Sequence, residues 1–369
     1  MKAAVLREQP GELLIEDLKI DRPGPGEVLV DVHAAGLCHS DLHFMQGKFR
    51  TPLPAVLGHE SAGVVLEVGD GVRHVAPGDH VVCCLSLFCG ECNACVSGRT
   101  FACTDTDRLS RGREGTPRLS AADGSRVAQF SHLGGFAEQM LVHERAVVRI
   151  ADDIPLDRAA LVGCGVLTGT GAVFRTAGVE PGSTVAVIGA GGIGLAAIQG
   201  ARIAGAGAVI AVDVTEDKLA IARQFGATLT VNAKEVDDVV AAVRDLTGGG
   251  VDYSFEAIGA KPTAEQAFRM VAPGGTATII GMVPSNTPIE VRGMDLLSGR
   301  RLQGTMMGSN RFRLDIPRLL DMYRDGRLLL DEVISKRIDI DDINEGYDEL
   351  LRGEVTRSVI VFDDSLRAA

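Results

Sequence analysis

At 369 residues the chain is too long for one ordinary hydrophobic core, so two domains are expected. Nearly half of it is apolar, with no low-complexity tract, which excludes a disordered or fibrous protein. A net charge of −12 with no basic stripe argues against nucleic acid, and no apolar run approaches a membrane span.

The first thirty residues mix charges with short apolar runs, unlike a secretory signal, so a cytoplasmic protein is expected. Short β-type runs at 3–6, 13–15, 28–32, 63–68 and 80–84 predict strands. Pro23-Gly24-Pro25-Gly26 and Pro77-Gly78-Asp79 punctuate them, giving a loop-rich, all-β module. Residues 104–132, rich in Arg, Asp, Gly and Ser, read as a long solvated loop, or as one that shapes a site mouth or a subunit contact. From about residue 166 strands alternate with helical runs, at 185–188, 209–212, 229–232, 253–256, 276–281 and 301–306. Six such strands predict an α/β, doubly wound parallel sheet. A helical segment at 316–323 and a last strand at 358–362 are expected to return to the first module.

The stretch from Val185 to Asp213 is one βαβ unit. An apolar strand leads into Gly189-Ala190-Gly191-Gly192-Ile193-Gly194, a helical run follows, and a second strand ends in Asp213. Gly189 permits the tight turn, Gly191 lets backbone approach a pyrophosphate, and Gly194 lets helix and sheet pack closely. The helix N-terminus offers N–H groups to phosphates. Asp213 is placed to accept the hydroxyls of an adenosine ribose and to repel a 2′-phosphate, which favours NAD over NADP.

Eight cysteines in this context point to metal or catalysis rather than disulfides. Cys89-x2-Cys92-x2-Cys95-x7-Cys103 offers four thiolates, enough to close a tetrahedron round a structural Zn²⁺. A second set is dispersed: Cys38 with Ser40, Asp41 and His43; His59-Glu60; and Cys164 between Gly163 and Gly165. Spacing alone does not join these, and Cys164 reads as readily as a small core residue, His59 as a capped loop histidine. Cys83 and Cys84 read as buried strand residues. His33, His74, His80 and His143 carry no specific signal.

Cys38-His39-Ser40-Asp41-x-His43, Gly58-His59-Glu60-x2-Gly63, the four-cysteine cluster, Gly163-Cys164-Gly165 and the glycine fingerprint occur in an order that resembles the zinc-dependent alcohol dehydrogenases of the medium-chain dehydrogenase/reductase family. The resemblance spans essentially the whole chain. The long loop after Cys103 looks like the branch holding animal-type and thiol-dependent formaldehyde dehydrogenases and bacterial aryl-alcohol relatives.

The resemblance implies a GroES-like catalytic domain at 1–165 and 307–369, a Rossmann NAD-binding domain at 166–306, and a site in the cleft between them. It makes Cys38, His59 and Cys164 the ligands of a catalytic zinc with one open position, giving two Zn²⁺ per chain. Glu60 would stand behind the metal and Asp41 would orient His59. Ser40 would take the alcohol proton and pass it by way of the cofactor ribose to His43. His39 and Arg357 would face the pyrophosphate, and Gly192 and Lys218 would complete the cofactor contacts around Asp213. Phe49, Leu85, His132, Met282 and Met306 would wall a mostly apolar substrate pocket.

The expected activity is reversible hydride transfer between NAD and a primary apolar or aromatic alcohol or aldehyde, by a homodimer or homotetramer. The first alternative is oxidation of a thiol–formaldehyde adduct. The resemblance implies that glutathione-using relatives place acids, which meet the charged end of that tripeptide, where this chain has Gly47 and Phe49, although Arg108, Arg111 or Arg113 could serve another thiol. The second alternative is a non-catalytic dinucleotide-binding protein with architectural zinc.

Overall fold

The computed structural model describes residues 1–112 and 114–366. They divide into two compact units, one of Met1–Cys164 with the chain from Arg311 onward, the other of Gly165–Asn310. Arg113 lies outside the described residues.

The first unit is built on two sheets. A six-stranded sheet runs, in spatial order, Leu13–Asp17, Lys2–Leu6, Ala55–Val56, Arg126–Gln129, Leu119–Ser120 and Lys19–Ile20. The second, seven-stranded sheet is centred on Glu27–Gly36, whose alternating Val28, Val30 and Val32 turn into the core. Glu60–Val68 and then His80–Cys83 lie antiparallel on one side of it. On its other side Gln139–His143 pairs with the first half, and Ser358–Val361 with the second. Gly63 lets the two longest strands meet closely, because a Cβ there would lie 1.9 Å from the Asp31 carbonyl oxygen. The core between the sheets contains Leu6, Leu37, Leu57, Phe136 and Tyr347. The helix Leu156–Val162 packs against the seven-stranded sheet, with Arg158 alone among its residues short of full burial.

Residues 104–132 depart from a solvated loop. They contain the hairpin Leu119–Ser120 and Arg126–Gln129, and the loop is fastened by charge. Glu27, 4 % exposed, accepts from Arg111 Nη2 at 2.6 Å and Arg118 Nε at 2.8 Å, while Arg111 also pairs with Asp21. Two- and four-residue strands are too short to show alternation in the sequence, and a buried ion-pair network leaves no periodic trace.

The second unit holds an all-parallel sheet in the order Leu229–Asn232, Ala208–Asp213, Thr184–Ile188, Val251–Glu256, Val271–Ile279, Arg301–Gly304. This is the doubly wound order 3-2-1-4-5-6, and the carboxyl ends of its first and fourth strands adjoin the glycine turn. Buried Ile188, Ile210, Val212, Val243 and Phe268 form its core. The fifth strand begins at Val271, ahead of Pro273-Gly274-Gly275, because a register shift against Val251–Glu256 admits those residues. Among the described residues no single helix is long and apolar enough to cross a membrane.

Candidate active site and metal centres

Strand register brings the dispersed residues together. Gly36 pairs with Glu60, so Cys38, two residues beyond Gly36, comes beside His59 at the start of the neighbouring strand. Cys38 is also the extended residue that opens the helix His39–Met45. On the opposite flank Val359 pairs with Gly36, which carries Arg357 to the same place. Cys164 follows the helix Leu156–Val162. Gly163 permits that approach, since a Cβ there would lie 2.5 Å from the Cys83 carbonyl oxygen.

The ligand atoms of Cys38, His59, Glu60 and Cys164 all lie within 4.8 Å of one another, and all four residues are buried. His59 Nδ1 is 3.1 Å from both carboxylate oxygens of Asp41, which also accepts from the Gly58 N–H at 3.0 Å. A carboxylate can only accept, so Nδ1 carries the proton and Nε2 keeps its lone pair. Buried Nε2 has no hydrogen-bond partner among the described residues.

The electrostatics fit a cation. Sharing of a proton with Cys164 heads the causes that hold the Cys38 thiol well below its usual range, and the same contact pushes Cys164 well above it. Burial pushes Glu60 up to about 7 against the pull of Arg357, whose Nη2 stands 3.4 Å away. Two sulfurs, an imidazole nitrogen and a carboxylate, drawn together out of water, suit a zinc ion in donor type.

Cys89, Cys92, Cys95 and Cys103 form a second such group. Cys89 Sγ and Cys95 Sγ, and likewise Cys92 Sγ and Cys103 Sγ, are 3.9 Å apart. That matches the edge of a tetrahedron with metal–sulfur bonds of ~2.3 Å, which is ~3.8 Å. Backbone N–H groups of Cys92 and Cys89 reach Cys89 Sγ and Cys103 Sγ at 3.2 Å, as thiolates demand. A backbone bond from Thr104 heads the causes that lower Cys92 to about 6.

In the second unit the helix Gly192–Ile203 starts at Gly191. A Cβ on Gly194 would lie 1.7 Å from the Gly189 carbonyl oxygen, so that position is fixed by packing. A Cβ on Gly191 would meet nothing, and the exposed backbone there forms an open cradle at the helix N-terminus. Asp213 accepts from the Ala190 N–H at 2.8 Å and from Val214 at 2.7 Å, which ties the acid to the glycine turn. Gly192 is the first helical residue, and Lys218 stands half-buried on the following helix Glu216–Gln224.

Two family models match the chain: "Alcohol dehydrogenase GroES-like domain" over residues 24–152 and "Zinc-binding dehydrogenase" over 192–324. An S-(hydroxymethyl)glutathione dehydrogenase of Paracoccus denitrificans is 39 % identical over 98 % of this chain and 99 % of its own. The chain belongs to the zinc-dependent alcohol dehydrogenases of the medium-chain dehydrogenase/reductase family. Among solved structures, an alcohol dehydrogenase zinc-binding domain protein from Burkholderia ambifaria is similar, with TM-score 0.94 and 36 % identity, covering 98 % of each chain. So is the benzyl alcohol dehydrogenase of Acinetobacter calcoaceticus, with TM-score 0.92 and 32 % identity over 98 % of this chain and 99 % of that one. The first unit is thus the GroES-like catalytic domain and the second the Rossmann-like domain of this oxidoreductase family.

Within that family frame, Ser40 Oγ lies 3.6 Å from Cys38 Sγ, and His43 is half-buried three residues further along the same short helix. His39, the first residue of that helix, is exposed. Arg357, the other pyrophosphate candidate, is buried, donating to the Leu37 carbonyl at 2.7 Å and facing Glu60 of the Cys38, His59, Glu60 and Cys164 cluster.

Of the expected pocket residues, Phe49 joins a run of rings, 6.0 Å from His43 and 5.8 Å from Phe44. Phe44 lies 4.6 Å from Phe130, which stands edge-on to His59 at 5.8 Å. Phe130 was not anticipated from the sequence, because only the folded loop end brings it beside His59, and Phe44 was not anticipated because it enters the row through Phe130. Leu85 is half-buried against the core, and His132, half-buried, has a left-handed backbone with φ 61°. Met282 and Met306 belong to the other unit and are exposed. Arg108 pairs with Glu91 at 2.7 Å, and Arg111 is held by Asp21 and Glu27.

Proposed function

We propose that this chain is an NAD-linked zinc alcohol dehydrogenase that moves a hydride between a primary alcohol carbon and nicotinamide, with apolar and aromatic alcohols preferred. The observation that carries the substrate class is the row of rings leading from His59 through Phe130 and Phe44 to Phe49. Covering a hydrocarbon body with such side chains is worth about 1.5–3 kcal/mol, or tenfold and more in discrimination over ethanol.

Cys38, His59 and Cys164 would hold the zinc and the Gly191 cradle with Asp213 the cofactor. When bound, the metal supplies a Lewis acid that acidifies an alcohol hydroxyl, and NAD supplies the hydride acceptor. Asp41 orients His59, leaving Nε2 to the metal side. Ser40 Oγ accepts the hydroxyl proton, and His43, on the same helix face, takes it on toward solvent. Phe130, Phe44 and Phe49 exclude water from the carbon that loses hydride. Asp213 disfavours a 2′-phosphate by charge, which is the basis for NAD.

A second reading is oxidation of a formaldehyde–thiol adduct, the activity for which the Paracoccus relative is named. Two observations weigh against it. Gly47 and Phe49 carry no acid for an ammonium group, and the described loop arginines Arg108 and Arg111 are already paired. Steady-state rates with NAD over a panel of alcohols and aldehydes, with and without glutathione, decide between them. Benzyl or hexyl alcohol should exceed ethanol by at least about tenfold in kcat/KM without thiol. Formaldehyde oxidation that depends strictly on thiol and exceeds benzyl alcohol would establish the second reading instead.

A further inference from the structure

Behind the metal-ligand cluster lies a tyrosine that none of this chemistry uses. Tyr347, on the helix Ile343–Arg352, is 1 % exposed, and its hydroxyl has no hydrogen-bond partner among the described residues. Asp41 is fully buried too. Its Oδ1 takes the bonds from Gly58 and His59, while Oδ2, though near the imidazole, makes no hydrogen bond among the described residues. A buried donor and a buried acceptor, both unbonded, are each costly, and each is suited to satisfy the other.

Packing puts them in one neighbourhood. The Tyr347 ring stands edge-on to Phe136 at 6.3 Å. Phe136 fills the space over Gly58, where a Cβ would lie 2.6 Å from it, and the Gly58 N–H itself donates to Asp41. From the other side, Leu42, the residue after Asp41, lines with Tyr347, Met45 and Asn344 a cavity of about 410 Å³. Burial raises the Tyr347 phenol well above its usual range, and among charges Asp41 raises it most, ahead of Cys38 and Glu60.

We propose that Tyr347 is a positioning residue whose hydroxyl donates, through one water molecule, to Asp41 Oδ2. The bond holds the carboxylate in the orientation that keeps His59 Nε2 turned toward Cys38 and Cys164. This rests on the reading of Cys38, His59 and Cys164 as metal ligands. Tyr347→Phe removes the hydroxyl and keeps the ring against Phe136.

The test uses the zinc-loaded enzyme under a fixed excess of chelator, with released metal followed by an indicator dye and with Tm and kcat measured alongside. Tyr347→Phe should release one of the two zincs about tenfold faster and lower kcat, with only a small fall in Tm. In an Asp41→Asn background the same change should add nothing to either effect. Unchanged release and kcat, effects that multiply with Asp41→Asn, or equal acceleration at both zincs with a large fall in Tm would each overturn the proposal. If Cys38→Ala keeps both zincs, the metal reading fails rather than the role of Tyr347.

Discussion

His43 is the residue at which environment and chemistry meet most directly. Burial, helped by the ammonium of Lys48, lowers its pKa below the ordinary histidine range. A lowered value means that the neutral, proton-accepting imidazole persists to more acid pH than a free histidine would allow. Loss of this acceptor is therefore felt on the acid side. His43→Gln should slow alcohol oxidation most at low pH and little at high pH, where hydroxide can take the proton. Ser40, 3.6 Å from a proposed metal ligand, stands nearer the reacting oxygen, so Ser40→Ala should cost on the order of 100-fold across the whole range. A kcat/KM profile against pH for both variants checks this, and two equally mild, flat profiles would remove the relay. Ser40 and His43 were legible as neighbours of Cys38 because they share one short motif with it. Phe130 and Tyr347 were not, because each meets the site from a segment far along the chain, and an isolated Phe or Tyr has no spacing to read.

At the scale of elements, the long segment after Cys103 is held by one carboxylate. Burial would raise the Glu27 pKa, but bonds from Arg111, the Gly24 N–H and Arg118 outweigh it and leave the group below its usual range. A carboxyl depressed in the folded state contributes stability above the ordinary carboxylate range, and that stability is lost as pH falls through the lowered value. Glu27→Gln should remove the counter-charge of nearly buried Arg118 and destabilise the first unit by about 3 kcal/mol. The wild type should approach the variant's Tm as the solution is acidified below the carboxylate range. Trypsin should then cut within 104–118 in the variant at neutral pH while sparing the wild type. Equal melting and equal cleavage would mean that the segment is held by its hairpin alone. Because Phe130 ends this segment and stands against His59, the variant should also lose selectivity for benzyl over short alcohols. None of this was visible in the sequence, where the arginines resemble any solvated run.

For the whole molecule, what could be read in advance followed the length of the signal. The parallel sheet was legible because its central strands, Thr184–Ile188 and Ala208–Asp213, are nearly fully buried apolar runs and the glycine turn has a fixed place between them. The four-cysteine cluster was legible because all its ligands fall within fifteen residues. Cys38, His59 and Cys164 were not joined by spacing. Their meeting depends on the pairing of Gly36 with Glu60 and on the close passage of Gly163, which only the folded sheet supplies.

The same contrast separates the two proposed metal centres in their response to chelation. Burial alone argues that the dispersed site should be slower to empty, since Cys38, His59 and Cys164 are buried whereas Cys92 and Cys103 are half-exposed. Coordination argues the reverse, because a chelator begins by occupying a vacant ligand position and a four-thiolate shell has none. The second effect should win, since the open position must admit substrate and so admits small chelators as well. Chelator titration should therefore abolish turnover after loss of one zinc per chain while Tm barely moves. Loss of the second zinc should lower Tm, because those thiolates hold a loop together. Cys38→Ala should reproduce the first stage as a folded protein with one zinc that still binds NAD, and Cys92→Ala should reproduce the second. Metal analysis alongside activity and melting follows both stages. A fully active preparation with one zinc per chain, or a fall in Tm that precedes the loss of turnover, would overturn this assignment of the two centres.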